Sequence, residues 1–408
     1  MDLLYLLTDA YAPEGLSFRT FDDFEPISEC LVDCGFRVVI TSWNHLKIQD
    51  ESVWVCKGVE KTAAGTVRIE DPEPLEPALI LDECPGTSAV IENPQNQKAL
   101  NSLRQRGVLS SIPISERDLA CAYIQYLLKT FWKNSVFTYD PVLAHCGKCA
   151  LETYFKAADA RLNEPIPRPY TQIALNADQA LTQLSQQLSM ADAIVVKSDL
   201  GSRSESVYVV TPETQAEFAT TLKSLPPSSY VVQRFIADSV LYKGCKADLR
   251  INVAVYSWAP LRFQVFRQAK VRVANQPFSE KNLDNSANSI TARAGYETAT
   301  AYFSTLSNPQ QVWIHIEHEI EKVLQAVLWG SGLEKDPLLN QLISFFGIDI
   351  ILQDSPAGPM PLVLEINPKP GRLTVKNNEA DLISDLLASY KTFFLTCKTY
   401  VKPNPRSY

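Results

Sequence analysis

Two short apolar runs near the C-terminus each hold a carboxylate among residues that favour a buried strand. They are Phe345-Phe346-Gly347-Ile348-Asp349-Ile350-Ile351-Leu352 and Pro361-Leu362-Val363-Leu364-Glu365-Ile366-Asn367. The turn formers of Gln353–Met360 separate them, which predicts an antiparallel hairpin. With the turn centred near Ala357, residues whose numbers sum to about 714 face each other, so Asp349 stands opposite Glu365 at ~4.5–5.5 Å. Asn367, two positions on, points to the same face. Two carboxylates held together between apolar neighbours repel each other and lose solvation unless a cation joins them. Oxygen donors of this kind suit Mg²⁺, which keeps open positions for phosphate oxygens. The plainer alternative is a strand face open to water, and the long apolar runs on both sides argue against it.

A second segment supplies positive charge. Lys246-Ala247-Asp248-Leu249-Arg250-Ile251-Asn252-Val253-Ala254-Val255 alternates with period two, sending Leu249, Ile251, Val253 and Val255 to one face and Asp248, Arg250 and Asn252 to the other. The chain turns at Ala259-Pro260 and returns as Leu261–Arg267. Between residues 246 and 272 stand Lys246, Arg250, Arg262, Arg267, Lys270 and Arg272 against the single acid Asp248. In a chain of net charge -8, such a cluster reads as an anion site. Arg262 and Lys270 read instead as salt-bridged sheet surface.

Upstream, Ala193-Ile194-Val195-Val196-Lys197 ends a strand on a lysine and runs into the small-residue loop Ser198–Ser206. A lysine beside such a loop can hold phosphates, although a hairpin with a polar loop has the same pattern. Tyr230-Val231-Val232-Gln233-Arg234-Phe235-Ile236 is an apolar strand that turns polar at its end. By itself it is a core strand, and its polar end can offer backbone groups to a base edge.

The rest of the chain sets bounds. Apolar residues make up 46% of the 408, and aromatics 10%, which excludes disorder. No apolar run approaches the ~18–20 residues of a membrane helix. The acidic balance argues against a nucleic-acid-coating protein. Leu3–Leu7 reads as a first strand, since it lacks the basic flank and length of a signal peptide. Nine scattered cysteines suit reduced thiols and a cytoplasmic location. Cys146-x-x-Cys149 has metal-like spacing but no second pair, so the thiols are expected on a helix. The first ~125 residues alternate strands (Leu3–Leu7, Arg37–Thr41, Val53–Lys57) with a helix over Pro26–Gly35, predicting a βαβ domain with a parallel sheet. Asp71–Pro77 reads as an extended surface segment. Helices are expected over 116–135, 144–162 and 178–190, with Leu151, Tyr154, Phe155 and Ala158 on one stripe. Pro165, Pro167 and Pro169 mark a junction.

In order, these segments resemble the ATP-grasp superfamily, and within it the tubulin–tyrosine ligase-like branch. The matching residues are Lys197 with Gly201 and Arg203, then Val231–Ile236, then Lys246-Ala247-Asp248-Leu249-Arg250. They continue with Phe266-Arg267-Gln268-Ala269-Lys270-Val271-Arg272 and the two carboxylate strands. The loop has Ser204 and Ser206 where the family has glycines and Arg203 where it has lysine. The family's H-L-T-N-x-S-I segment survives only as Asp284–Ile290, with Asn288 as its asparagine.

The resemblance implies an α/β (α+β) ATP-grasp fold. An N-terminal βαβ domain (1–140), read from its strand and helix pattern and carrying no family signature, would precede a central subdomain (141–236) and a C-terminal one (237–408) that enclose the nucleotide. It implies an ATP- and Mg²⁺-dependent carboxylate–amine ligase acting through an acyl phosphate, with an amino acid or peptide amine and a carboxylate on a peptide, protein tail or small molecule as partners. Lys148, Lys197, Gly201 and Arg203 would contact phosphates, Gln233, Arg234, Phe235 and Ile236 the adenine. Asp349, Glu365 and Asn367 would hold Mg²⁺, while Lys246, Asp248, Arg250 and Arg267 position the γ-phosphate and reacting groups. Two other readings keep the nucleotide site: a kinase of the inositol-phosphate type, and a nucleotide-binding protein without catalysis.

Overall fold

The computed structural model describes residues 2–7, 25–42, 46–49, 52–56, 58–75, 79–82, 136–137, 147–199, 207–283, 296–331, 344–367, 387–388 and 391–397. The expected helix over 116–135 and the segment 284–290 lie outside them.

The chain opens with β1 (Asp2–Leu7), α1 (Glu25–Asp33) and β2 (Arg37–Ser42), followed by β3 (Leu46–Gln49), β4 (Ser52–Val55), β5 (Gly58–Thr62), β6 (Gly65–Ile69), β7 (Glu73–Pro74), β8 (Leu79–Asp82) and β9 (Val136–Phe137). The largest sheet here has the order β6-β5-β2-β1-β8-β9. Its β2, β1, β8 and β9 run parallel, as the βαβ pattern predicts. Val38, Val39 and Ile40 are fully buried, the mark of a strand covered on both faces. The β5–β6 hairpin then extends the sheet in antiparallel sense, because its loop closes beside Gly65 at φ 136°. The proline-rich segment is exposed at Asp71, Pro72 and Pro74, and it lends β7 to β4 in a small sheet of order β3-β4-β7. Pro74 is tolerated there because an edge strand can spare a donor.

The second sheet follows α2 (Lys148–Asp159) and contains β10 (Thr171–Ala174), β11 (Ile194–Ser198), β12 (Val207–Val210) and β13 (Tyr230–Arg234), with α3 (Ala177–Leu188) and α4 (Gln215–Ser224) between them. Its order is β10-β13-β11-β12, antiparallel throughout. Asn176 starts α3 by accepting the Gln179 N–H at 2.9 Å. Leu184, Leu222, Ile194 and Val232 bury the helices against the sheet.

The third sheet holds β14 (Leu241–Tyr242), β15 (Cys245–Trp258), β16 (Leu261–Val265), β17 (Lys270–Val273) and β18 (Tyr296–Thr298). After α5 (Ala299–Phe303) and α6 (Pro309–Ser331) it closes with β19 (Ser344–Gln353) and β20 (Met360–Asn367). The path β18-β17-β15-β19-β20 makes β15 a central strand, flanked also by β14 and β16. Leu249, Ile251, Val253 and Val255 pack beneath Ile316, Ile320, Val323 and Val327 of α6, and α2 adds Leu151, Phe155 and Ala158 as expected, with Tyr154 partly buried. Residues 391–397 are helical. Phe393 stacks near Tyr256 and Phe345, and Phe394 meets Phe36 edge-on at 6.5 Å, tying the first sheet to the third. Among the described residues no helix is long and apolar enough to cross a membrane.

Candidate nucleotide and metal site

A β-bulge shapes the carboxylate wall. Near the turn the hairpin pairs Ile350 with Val363, but one step on it pairs Asp349 with Glu365, leaving Leu364 as the extra residue. The predicted Asp349–Glu365 pairing is therefore observed. An unbroken pleat sends neighbouring residues to opposite faces; the bulge lets Leu364 and Glu365 both line one cavity, beside Asp349 and Ile351 of the adjoining strand.

Asp349 is fully buried and surrounded by donors. Arg250 grips it with Nε on Oδ1 and Nη2 on Oδ2, each at 2.8 Å. Arg272 Nη2 and Asn367 Nδ2 reach the same Oδ2 at 2.8 and 2.9 Å. Burial alone would raise the Asp349 pKa, yet the two guanidinium groups hold it well below the usual carboxylate range. Arg272 Nε also donates to Asp248 Oδ1 at 2.6 Å. Burial works against its charge, but the two carboxylates raise its pKa further. Glu365 is bound more loosely, accepting a 3.4 Å contact from Asn367 Nδ2.

The other wall of the cavity comes from the second sheet. Lys197, half-buried on β11, faces Asp349, Glu365 and Asp248 across the gap; its pKa is lowered, chiefly by burial, with Glu365 acting the other way and Lys148 adding repulsion. Gln233, Arg234, Phe235 and Ile236 all line the cavity, which measures about 790 Å³ including its mouth. Gln233 Nε2 is committed to Thr171 Oγ1 at 2.9 Å. Lys246 rises from β15 into this seam. Its ammonium donates to the Ile236 carbonyl and to Ser239 Oγ at 2.8 Å, and lies 4.6 Å from the ring centres of Phe235 and Phe278. Burial pushes its pKa down to about 8.

Of the sequence-predicted residues, Lys197, Gln233, Arg234, Phe235, Ile236, Lys246, Asp248, Asp349 and Glu365 line the cavity. Arg250 and Asn367 stand behind it, bonded to its carboxylates. Lys148 opens α2, and its charge reaches Lys197. Gly201 and Arg203 lie outside the described residues. Arg267 does not line the cavity: its side chain is 45% exposed and is paired with Glu317 at 2.8 Å on α6. Arg272, which the sequence places only within the basic cluster read as an anion site, bonds both Asp248 and Asp349. It sits opposite Asp248 in the β15–β17 ladder, a pairing that depends on how the chain returns after β16. The apolar slot was missed: Val195 and Val209 face Ile351 and Leu364 across the cavity. Cys149 is on α2 as expected, its thiol pushed up to about 12 by burial and donating to the Tyr230 carbonyl at 3.6 Å. Cys146 lies outside the described residues.

The donor set fits Mg²⁺. Glu365 and Asn367 offer hard oxygens next to Asp349, and Mg²⁺ needs only one or two protein carboxylates beside water and phosphate. Among the described residues no three His, Cys, Asp or Glu side chains gather as a metal cluster. Asp248 and Asp349 are matched on the spot by Arg250 and Arg272, whereas Glu365 and Lys197 face each other with no ion pair among the described residues.

Such a cleft, cationic on one wall and carboxylate-bearing on the other, suits a polyanion accompanied by a divalent cation. The model of the tubulin-tyrosine ligase family matches residues 155–402, more than half of the 408. The chain belongs to that family. It is 27% identical over 163 residues to the probable tubulin polyglutamylase TTLL2 of Homo sapiens, covering 35% of this chain and 26% of that one. It is 42% identical over 108 residues to the tubulin monoglycylase TTLL3 of Mus musculus, 25% and 11% of the two chains. With the tubulin polyglutamylase TTLL6 of Homo sapiens it shares 26% identity over 228 residues, 48% and 25%. The alignments thus span about a quarter of the length of these relatives, or less.

Proposed function

We propose that this chain is an ATP- and Mg²⁺-dependent amino-acid ligase of ATP-grasp architecture, divided at about residues 140 and 236, which adds an amino acid to a carboxylate on an acidic protein tail. The observation that carries this reading is the Lys197 strand facing the Asp349–Glu365 pair across one cleft, with Gln233–Ile236 at its edge. Val195, Val209, Ile351 and Leu364 form a slot suited to a flat base, and the backbone of Gln233–Ile236 offers it a hydrogen-bonding edge. Lys197 and Lys148 bind phosphate oxygens.

Mg²⁺ held by Glu365 and Asn367 beside Asp349 would supply charge neutralisation at the terminal phosphates. Arg250 and Arg272 keep Asp349 ionised and fixed, so the site needs little rearrangement as charge shifts. The γ-phosphoryl group passes to the acceptor carboxylate with release of ADP. The amine then attacks the acyl carbon, phosphate leaves, and the amine proton is lost as the amide forms. This chemistry relies on positioning and requires no nucleophilic side chain. The names of the relatives, polyglutamylase and monoglycylase, favour glutamate or glycine as the amine and a glutamate-rich tail as the acceptor.

The test is incubation with ATP, Mg²⁺, single amino acids and acidic tail peptides, followed by mass analysis. A peptide gaining one amino-acid residue with equimolar ADP and phosphate is expected. A phosphate increment on a polyol, with no amide product, would replace this reading by a kinase.

A further inference from the structure

The start of α2 is capped from a distance. Gly147 occupies the N-cap position and has no side chain with which to satisfy the first helical N–H groups. The Asp199 carboxylate does so instead, accepting the Cys149 N–H at 2.9 Å from 50 residues along the chain. The fit is close. A Cβ on Gly147 would lie 2.8 Å from Asp199 Oδ1 and 3.1 Å from Oδ2, so this approach requires glycine. Asp199 is itself fixed, its N–H bonded to the Ser229 carbonyl at 2.9 Å, and the Cys149 thiol reaches the Tyr230 carbonyl nearby. Lys148 lies between Gly147 and Cys149, the two residues that touch this carboxylate. Lys197 lies two residues before Asp199, so the cap brings the start of α2, which carries Lys148, next to the strand that carries Lys197.

A carboxylate next to two phosphate-binding lysines is electrostatically wrong for an anion site unless its task is geometric. We propose that Asp199 is a positioning residue: by capping α2 it sets Lys148 beside Lys197, so that two ammonium groups from separate elements converge on the nucleotide phosphates. This rests on the nucleotide reading of the cleft. The repulsion between the lysines is offset when the polyanion enters, and Asp199 holds them together until then.

The experiment measures Mg·ATP and adenosine binding to the full chain by calorimetry, with melting temperature as a check on folding. The parent chain is measured first; if it binds neither ligand, the nucleotide reading itself fails and this inference falls with it. If it binds, Asp199→Ala is expected to weaken ATP about five- to tenfold, the worth of a helix cap, while adenosine stays within about twofold. Asp199→Asn keeps the acceptor oxygen and should restore ATP affinity. Gly147→Ala should reproduce the Asp199→Ala loss and add little to it, since both break one contact. Equal or tighter ATP binding in Asp199→Ala would mean that the carboxylate acts only through its charge. That result, an equal loss for adenosine, or additive losses in the double variant would each overturn the proposal.

Discussion

The two walls of the cleft handle charge in opposite ways. On the third sheet Asp248, Asp349, Arg250 and Arg272 neutralise one another through short bonds before any ligand arrives. On the second sheet Lys197 makes no ion pair among the described residues, and it suffers both burial and the nearby Lys148. One wall is a finished lattice, and the other bears a positive charge that a ligand must complete. Side chains on the first wall should therefore matter to folding and to chemistry together, whereas on the second, binding and stability should oppose each other.

The largest contrast lies within the carboxylate wall. Removing Asp349 strands two guanidinium groups in a buried site, so Asp349→Ala should cost about 3–5 kcal/mol of stability in denaturant titration. Glu365, loosely held, should behave differently. Glu365→Gln is expected to lower amide formation by roughly 10²-fold or more while shifting stability by less than about 1 kcal/mol. Equal stability losses in the two variants would erase the distinction between lattice and ligand. The same lattice sets an acid limit. The Asp349 pKa is depressed on folding, so its contribution is fully present above the ordinary carboxylate range and is lost as pH falls towards its folded value.

Lys246 joins the walls, rising from β15 to bond the Ile236 carbonyl and Ser239. Its pKa falls from 10.5 unfolded to about 8 folded. A depressed lysine binds fewer protons in the native state, so its burial penalty is present below about pH 8 and is relieved as pH rises towards 10.5. At 1.36 kcal/mol per pKa unit this amounts to an effect on the order of 3 kcal/mol. The stability of the parent relative to Lys246→Met should accordingly rise between pH 8 and 10. A flat difference across that window, followed by equilibrium unfolding, would show that the aromatic rings and Ser239 already stabilise the charged form.

Much of the carboxylate wall was legible because apolar runs, turn residues and period-two alternation all agree there. The bulge was not, since Leu364 is as apolar as its neighbours and a constant pairing sum hides it. Asp349 and Glu365 face each other only because the register shifts by one between them and the turn. Arg272 was legible as one of a basic cluster but its partners were not, because they are set by a return path through β16 that local pattern does not specify. The parallel part of the first sheet was readable from Leu3–Leu7, the helix at 25–33 and Val38-Val39-Ile40, whereas the antiparallel β5–β6 extension depends on a short turn at Gly65. Arg267 was assigned from motif order, and Glu317, 50 residues away, holds it elsewhere.

On the lysine wall the expected signs diverge. Lys197→Met should weaken Mg·ATP by about 10–100-fold, the worth of a charged hydrogen bond to phosphate. The apo melting temperature should not fall, because a half-buried charge disfavoured by burial has been replaced by an apolar chain of similar length. A lower melting temperature would mean that the opposite carboxylates, Glu365 above all, already hold Lys197 as part of the lattice, and the two walls would then be one.

The smallest effect should come from Arg267, which the motif order places with the catalytic groups and the structure places outside them. Its pair with Glu317 is exposed on both sides, at 45% and 35%, and a further contact reaches Gln310 Oε1 at 3.4 Å. Exposed pairs contribute about 0–1 kcal/mol and are weakened by salt. Arg267→Ala should then cost at most about 1 kcal/mol, less in high salt, with nucleotide affinity and turnover near the parent values. A large drop in turnover with unchanged stability would instead mean that Arg267 leaves Glu317 to meet the acceptor tail when substrate binds. The single variant Glu317→Gln separates these cases. Loss of a surface pair shows only a small change in stability, whereas a side chain recruited by the substrate is freed by this change and raises turnover.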